Sequence, residues 1–74
     1  MKLPVVSGEE VIKALHKADF RAVRQKGSHV RLEKRVKEGT IKVTVPLHRS
    51  LKRKTLQMIL KQAGLSVEEF LKLL

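Results

Sequence analysis

The sequence contains no cysteine, tyrosine or tryptophan, and its only aromatic side chains are Phe20 and Phe70. The absence of cysteine excludes disulfides, Cys-ligated zinc and thiol chemistry. The scarcity of aromatic rings argues against recognition of single strands by base stacking, which uses aromatic platforms. Apolar packing must therefore hold the fold. With 42% hydrophobic residues among 74, we expect one domain, residues 1–74, with a thin two-layer core.

Long hydrophobic runs are also missing. No segment approaches the length of a membrane span, and the first residues, "MKLPVVSGEE", lack the apolar stretch of a signal peptide. These features predict a cytoplasmic protein with no membrane partner.

Acidic residues are few, since seven Asp and Glu stand against 17 Lys and Arg, for a formal net charge of +10. Four of the seven fall in predicted first turns of helices, where the helix dipole favours them: Glu9, Glu10, Glu68 and Glu69. The remaining surface is therefore strongly cationic, and a polyanion is the expected partner. A merely soluble cationic surface, or adaptation to heat, would give a similar composition.

Two capping boxes and one glycine delimit three predicted helices. Ser7–Glu10 opens a helix from about Gly8 to Ala18. Apolar residues at helical spacing predict a second helix from about Lys54, which Gly64 stops as its C-cap. A second capping box, Ser66–Glu69, opens a short final helix.

Three extended segments lie between the first two helices, at Phe20–Gln25, His29–Arg35 and Thr40–Val45. The first alternates poorly, the other two alternate clearly, and Pro46 ends the third because it cannot donate to a strand ladder. The order α-β-β-β-α-α predicts an α+β fold, in which helices cover one face of a three-stranded antiparallel sheet. The open face is predicted to carry His29, Arg31, Glu33, Thr40, Lys42 and Thr44.

The three histidines are too dispersed to predict a metal site, because no carboxylate lies at ligand spacing beside them. Ser28 and His29 are neighbours on extended backbone, which argues against a Ser-His-acid triad. His16 falls on the solvated face of the first helix. His48 follows Pro46 and could reach a phosphate or a partner, or could simply be exposed.

His29 has two open interpretations, a polar strand residue or a catalytic base. The catalytic reading rests on its neighbours in "QKGSHVRLEKR". Gly27 allows positive φ and close approach of a phosphate, and Ser28 adds a hydroxyl. Nearby cations would hold a phosphodiester: Arg24, Lys26 and Arg31. Cations and a neutral imidazole suffice to cleave RNA, whose 2′-hydroxyl is an internal nucleophile.

At these residues the chain resembles the HicA (YcfA-like) family of mRNA interferase toxins from bacterial and archaeal toxin–antitoxin systems. The matching segments, in family order, are "SGEEVIKAL", "ADFRAVRQKGSHVRL", "VTVPLH" and "TLQMILKQAGLSVEEF". Together they cover nearly the whole chain. The sequence departs from the family pattern at Asp19, where a glycine usually precedes the phenylalanine, and at Lys54, where a glycine often precedes the threonine.

The resemblance implies a double-stranded-RNA-binding-domain-like (dsRBD-like) α-β-β-β-α fold and a toxin of a type II system. It implies metal-independent cleavage of mRNA with His29 as the catalytic residue, no cofactor, and a HicB-type antitoxin that covers His29. The candidate RNA-binding residues are Arg24, Lys26, Gly27, Ser28, Arg31, Lys42, His48 and Arg49. A non-catalytic double-stranded-RNA-binding module with this fold is the main alternative. A DNA-binding regulator is a third, although no helix-turn-helix is evident.

Overall fold

The computed structural model describes residues 3–74, and its helices and strands follow the predicted order. They are α1 Gly8–Lys17, β1 Arg21–Lys26, β2 His29–Val36, β3 Gly39–Pro46, α2 Arg53–Ala63 and α3 Val67–Leu73. The strands form one antiparallel sheet in the order β1-β2-β3. The predicted α+β fold, α-β-β-β-α with a short extra C-terminal helix, is confirmed. Within residues 3–74, no helix is long and apolar enough to cross a membrane.

Helices α1 and α3 each begin with the predicted capping box, in which the N-cap serine and a glutamate three residues later form two reciprocal hydrogen bonds. In α1 the Glu10 N–H donates to the Ser7 hydroxyl at 3.1 Å, and the Ser7 N–H donates to the Glu10 carboxylate at 3.0 Å. Ser66 and Glu69 repeat this arrangement in α3. The Ser66 backbone N–H, and secondly its hydroxyl, lower the pKa of the Glu69 carboxyl below its ordinary value. Ser7, Glu10, Ser66 and Glu69 therefore stabilise the first turns of α1 and α3.

The core lies between the helices and one face of β2 and β3. Along β2 every second residue is buried at first, beginning with Val30 and Leu32, and β3 contributes Val43 and Val45. The helices and connections complete the core with Val6, Val11, Ala14, Leu15, Phe20, Leu51, Leu56, Ile59, Leu60, Ala63 and Phe70. Because this packing uses one face of β2 and β3, the opposite face remains available to solvent along most of its length, and Pro46 at the end of β3 is its buried member.

A β-bulge in β1 explains why polar and apolar residues alternate poorly along this strand. The register shifts between Ala22 and Arg24, so that Val23 is an extra residue in a β-bulge. Without the bulge, Arg21 and Arg24 would point to opposite faces, because side chains alternate along a strand. The bulge brings both arginines to the face opposite the core, where they stand beside Glu33 and Arg31. All six residues of β1 are exposed, although α1 contacts this edge strand.

Asp19 has a left-handed backbone, with φ of 74°, directly before the buried Phe20. Glycine adopts this conformation without steric cost, and aspartate is one of the few other residues found there. The position where the family usually has glycine therefore keeps the glycine-like geometry in this chain. Lys54, the other departure, lies in the first turn of α2 and needs no special conformation.

Candidate nucleic-acid interface and active site

The open face of the sheet is strongly cationic. We define it by strand register, as the side chains that share the face of His29. It carries six cations and one carboxylate: Arg21, Arg24, Lys26, Arg31, Arg35 and Lys42, with Glu33. The predicted placement of His29, Arg31, Glu33, Thr40, Lys42 and Thr44 on one face is confirmed by the pairing of β2 with β3. A cationic face without a hydrophobic cover suits a polyanion rather than an apolar partner.

His29 begins β2 next to a tight hairpin turn. Lys26 pairs with His29 across the turn, which consists of Gly27 and Ser28. Gly27 has φ of 59°, a conformation that glycine allows, and a glycine at the first position of a two-residue loop is typical of a type II′ turn. The Gln25 side chain donates to the Gly27 carbonyl at 3.1 Å and braces the turn. The His29 imidazole therefore lies directly after a tight turn whose backbone is held by a side-chain hydrogen bond.

Four predicted site residues come together at this end of the sheet. A shallow depression of ≈ 210 Å³ is lined by Arg24, Lys26, His29, Arg31 and Thr44. The register explains this grouping, since Lys26 pairs with His29 while Arg31 lies between Arg24 and Thr44. An exposed imidazole thus shares a small concavity with three cations.

The remaining predicted residues lie at different distances from this depression. Gly27 and Ser28 form the adjoining turn. Lys42 pairs with Glu33, four residues from His29 along β2, which is roughly 13 Å at about 3.3 Å per residue. Arg49 is exposed in the connection after β3. Lys42 is therefore an outer member of the candidate interface, and Arg49 lies outside the sheet.

Sequence reasoning missed two residues on the open face, Arg21 and Arg35, and did not place Thr44 beside His29. Arg21 was missed because the bulge at Val23 reverses the alternation that would otherwise exclude it. Arg35 follows His29 at even spacing on β2 and could have been found from that spacing. Thr44 was assigned to this face, but its place in the depression depends on the β2–β3 register, with Arg31 as its partner.

The end of β3 differs from the prediction, because Pro46 pairs with His29 instead of lying beyond the strand. The proline is tolerated because the ladder does not need its nitrogen: the neighbouring Leu47 N–H donates to the Ser28 carbonyl at 2.6 Å. Hydrogen-bonded and non-hydrogen-bonded pairs alternate in an antiparallel ladder, so the Pro46 pair is of the second kind. Pairing thus continues one residue past Pro46, next to His48.

The beginning of α1 abuts this segment. The Gly8 N–H donates to the His48 carbonyl at 2.9 Å. A Cβ at position 8 would collide with the Pro46 carbonyl oxygen, so only glycine lets the helix approach so closely. The glycine of the "SGEE" motif therefore fixes the backbone of His48, through a contact that no local pattern reveals.

No cluster of three or more His, Asp or Glu side chains that could hold a metal ion occurs among residues 3–74. His16 lies on α1, on the helix side of the sheet, where it lines a groove with Ala22. It does not belong to the open face.

Comparison with known proteins gives one family. A family model described as the HicA toxin of bacterial toxin–antitoxin systems matches residues 8–65. This range contains α1, the whole sheet and α2, together with the depression at His29. No curated protein matches the chain.

Proposed function

Since the chain belongs to the HicA toxin family of bacterial toxin–antitoxin systems, we propose that it is an endoribonuclease that cleaves mRNA without a metal ion. Family membership gives it a toxin role and an antitoxin partner. The reaction, the RNA substrate and the identity of the antitoxin are the steps that we propose beyond this.

The exposed imidazole of His29 among Arg24, Lys26 and Arg31 is the observation that carries the proposal. A strand on an open face needs no histidine for stability. Attraction to an anion needs only the cations. An imidazole within hydrogen-bond reach of a bound phosphodiester adds the ability to accept a proton.

RNA supplies its own nucleophile, the 2′-hydroxyl beside the scissile phosphate. In the proposed reaction His29 accepts the 2′-hydroxyl proton while that oxygen attacks phosphorus. The bond from phosphorus to the 5′-oxygen breaks, and the 5′-oxygen leaves with a proton. The products are a 2′,3′-cyclic phosphate and a 5′-hydroxyl. Arg24, Lys26 and Arg31 stabilise the charge that builds on the non-bridging oxygens.

We predict that the pure protein cleaves single-stranded RNA in the presence of EDTA and leaves 2′,3′-cyclic phosphate ends. The reason is that imidazole and cations perform the chemistry. The measurement is end-group analysis of a labelled RNA after incubation, and the matched control is a DNA strand of the same sequence, which lacks the nucleophile and should remain intact. Activity lost in EDTA and restored by a divalent ion would contradict the mechanism. Retention of RNA without cleavage would favour the binding-module alternative.

We further propose that the antitoxin is of the HicB type and covers the open face. The charge of this face supports the proposal, because a toxin with exposed cations and an exposed imidazole must be silenced in its own cell. An acidic surface would pair with those cations and exclude RNA at the same time.

We predict that co-purification with a HicB-type antitoxin suppresses RNA cleavage and slows amide hydrogen exchange in β1, the adjoining turn and the start of β2. Arg31→Glu should weaken the complex, whereas Lys61→Glu, a charge reversal on α2, should not. Affinity measured by calorimetry for both variants provides the comparison. If the complex forms but leaves hydrogen exchange around His29 and RNA cleavage unchanged, the proposed mode of inhibition is wrong.

A further inference from the structure

The reaction proposed above requires a proton for the departing 5′-oxygen, and His48 is an exposed imidazole two residues beyond Pro46, the cross-strand partner of His29. We propose that His48 is the general acid that acts opposite His29. This inference rests on the proposed ribonuclease function and extends it, because it names the second catalytic group.

The backbone around Pro46 defines the relation between the two histidines. Pro46 is the cross-strand partner of His29, and the Leu47 N–H donates to the Ser28 carbonyl at 2.6 Å. The ladder therefore remains paired at Leu47, immediately before His48. In paired strands, a residue and the one that lies two positions beyond its direct partner are diagonal neighbours. Their Cα atoms are about 7–8 Å apart. When the register of β3 is continued past Pro46, its last residue, His48 takes the position of a diagonal neighbour of His29.

Side-chain alternation places His48 on the open face. Leu47 is half-buried and packs against the core, so its side chain points to the helix side of the sheet. Although β3 ends at Pro46, continuing its alternation through Leu47 assigns the His48 side chain to the other face, which is the face of His29. His48 is exposed, as a group that meets substrate must be. Its backbone is held by the Gly8 N–H at 2.9 Å.

The spacing suits a phosphodiester between the two rings. Attacking and leaving oxygens lie roughly in line on opposite sides of phosphorus, so the base and the acid must flank the phosphate. An imidazole reaches about 2.6–3.2 Å to the oxygen with which it exchanges a proton. Two imidazoles at diagonal positions on one face would meet this requirement, and His48 follows Pro46, the direct partner of His29, by two residues. His16 cannot, because it lines a groove on the helix side of the sheet.

The proton balance is complete with these two groups. His29 starts neutral and takes the proton of the 2′-hydroxyl as the new bond to phosphorus forms. His48 starts protonated and gives its proton to the 5′-oxygen as the old bond breaks. After one turnover the protonation states are exchanged, and solvent restores them. Lys26 is the one other proton donor paired directly with His29 in the described structure, so it is the competitor to test.

The experiment compares two RNA substrates of one sequence, cleaved at one mapped site. In the second, sulfur replaces the 5′-bridging oxygen, so that the leaving group is a thiolate that needs no general acid. We expect His48→Ala to slow cleavage of ordinary RNA by about 100-fold or more. It should slow cleavage of the sulfur substrate less than about fivefold, since a thiolate leaves unaided. His29→Ala should be slow on both substrates, and His16→Ala should match the parent on both.

His48→Ala retains the backbone carbonyl that accepts from Gly8, so the variant tests the imidazole alone. Equal loss on both substrates would overturn the proposal, because His48 would then bind or position RNA. Unchanged cleavage of ordinary RNA would also overturn it. If the sulfur substrate restores fast cleavage to Lys26→Ala but not to His48→Ala, Lys26 rather than His48 is the general acid. A parent protein that cleaves neither substrate would refute the ribonuclease function itself, which distinguishes that failure from the others.

Discussion

Replacing His29 by alanine should lower the rate of RNA cleavage by at least about two orders of magnitude, because a positioned general base typically contributes 10²–10⁴-fold. The expected loss concerns the chemical step. Arg24, Lys26 and Arg31 line the same depression and remain to hold the phosphodiester, so RNA affinity should change little. The measurement is cleavage of one single-stranded RNA under single-turnover conditions, with affinity measured in parallel.

Stability provides the control for this variant. His29 is exposed at the start of β2, and truncating an exposed strand residue leaves no buried cavity, so thermal unfolding should be unchanged. His16→Ala is the matched histidine variant, since it removes an exposed imidazole from the helix side of the sheet. If His29→Ala cleaves as fast as the parent, His29 is a polar strand residue and the catalytic reading is wrong.

The sequence was informative about the fold because its signals are local. The capping boxes at Ser7 and Ser66 use residues three apart, and both form as predicted. Alternation along His29–Arg35 identified the open face because β2 is regular and covered on one side only. Gly27 was singled out because tolerance of a positive φ is a property of glycine itself, and its φ is 59°.

The parts that escaped prediction depend on contacts between distant segments. The bulge at Val23 exists only relative to β2, so Arg21 could not be assigned to the open face from β1 alone. Pro46 was expected to end its strand, because the lost N–H is a local property. Its actual pairing with His29 depends on the β2–β3 register. The approach of Gly8 to Pro46, which fixes His48, joins segments about 40 residues apart and has no local signature.

The charge of the open face leads to the second large effect, a steep dependence of RNA affinity on salt. Each phosphate neutralised on a single strand contributes about −0.7 to the slope of log affinity against log salt. A strand that contacts four or five of the six cations should give a slope of roughly −3. Between 50 and 200 mM salt the affinity should then fall roughly 50- to 130-fold. The His29→Ala variant is suited to this measurement, because the RNA remains intact.

Single cation variants identify the surface that makes these contacts. Arg24→Ala and Arg31→Ala remove open-face charges beside the depression, and each should reduce the magnitude of the slope by about 0.7. Lys61→Ala removes an equal charge from α2, a helix on the core side of the sheet, and should leave the slope unchanged. A slope near zero would refute the cationic face as the RNA-binding surface. Equal effects of Lys61→Ala and Arg31→Ala would mean that net charge, rather than this face, attracts the RNA.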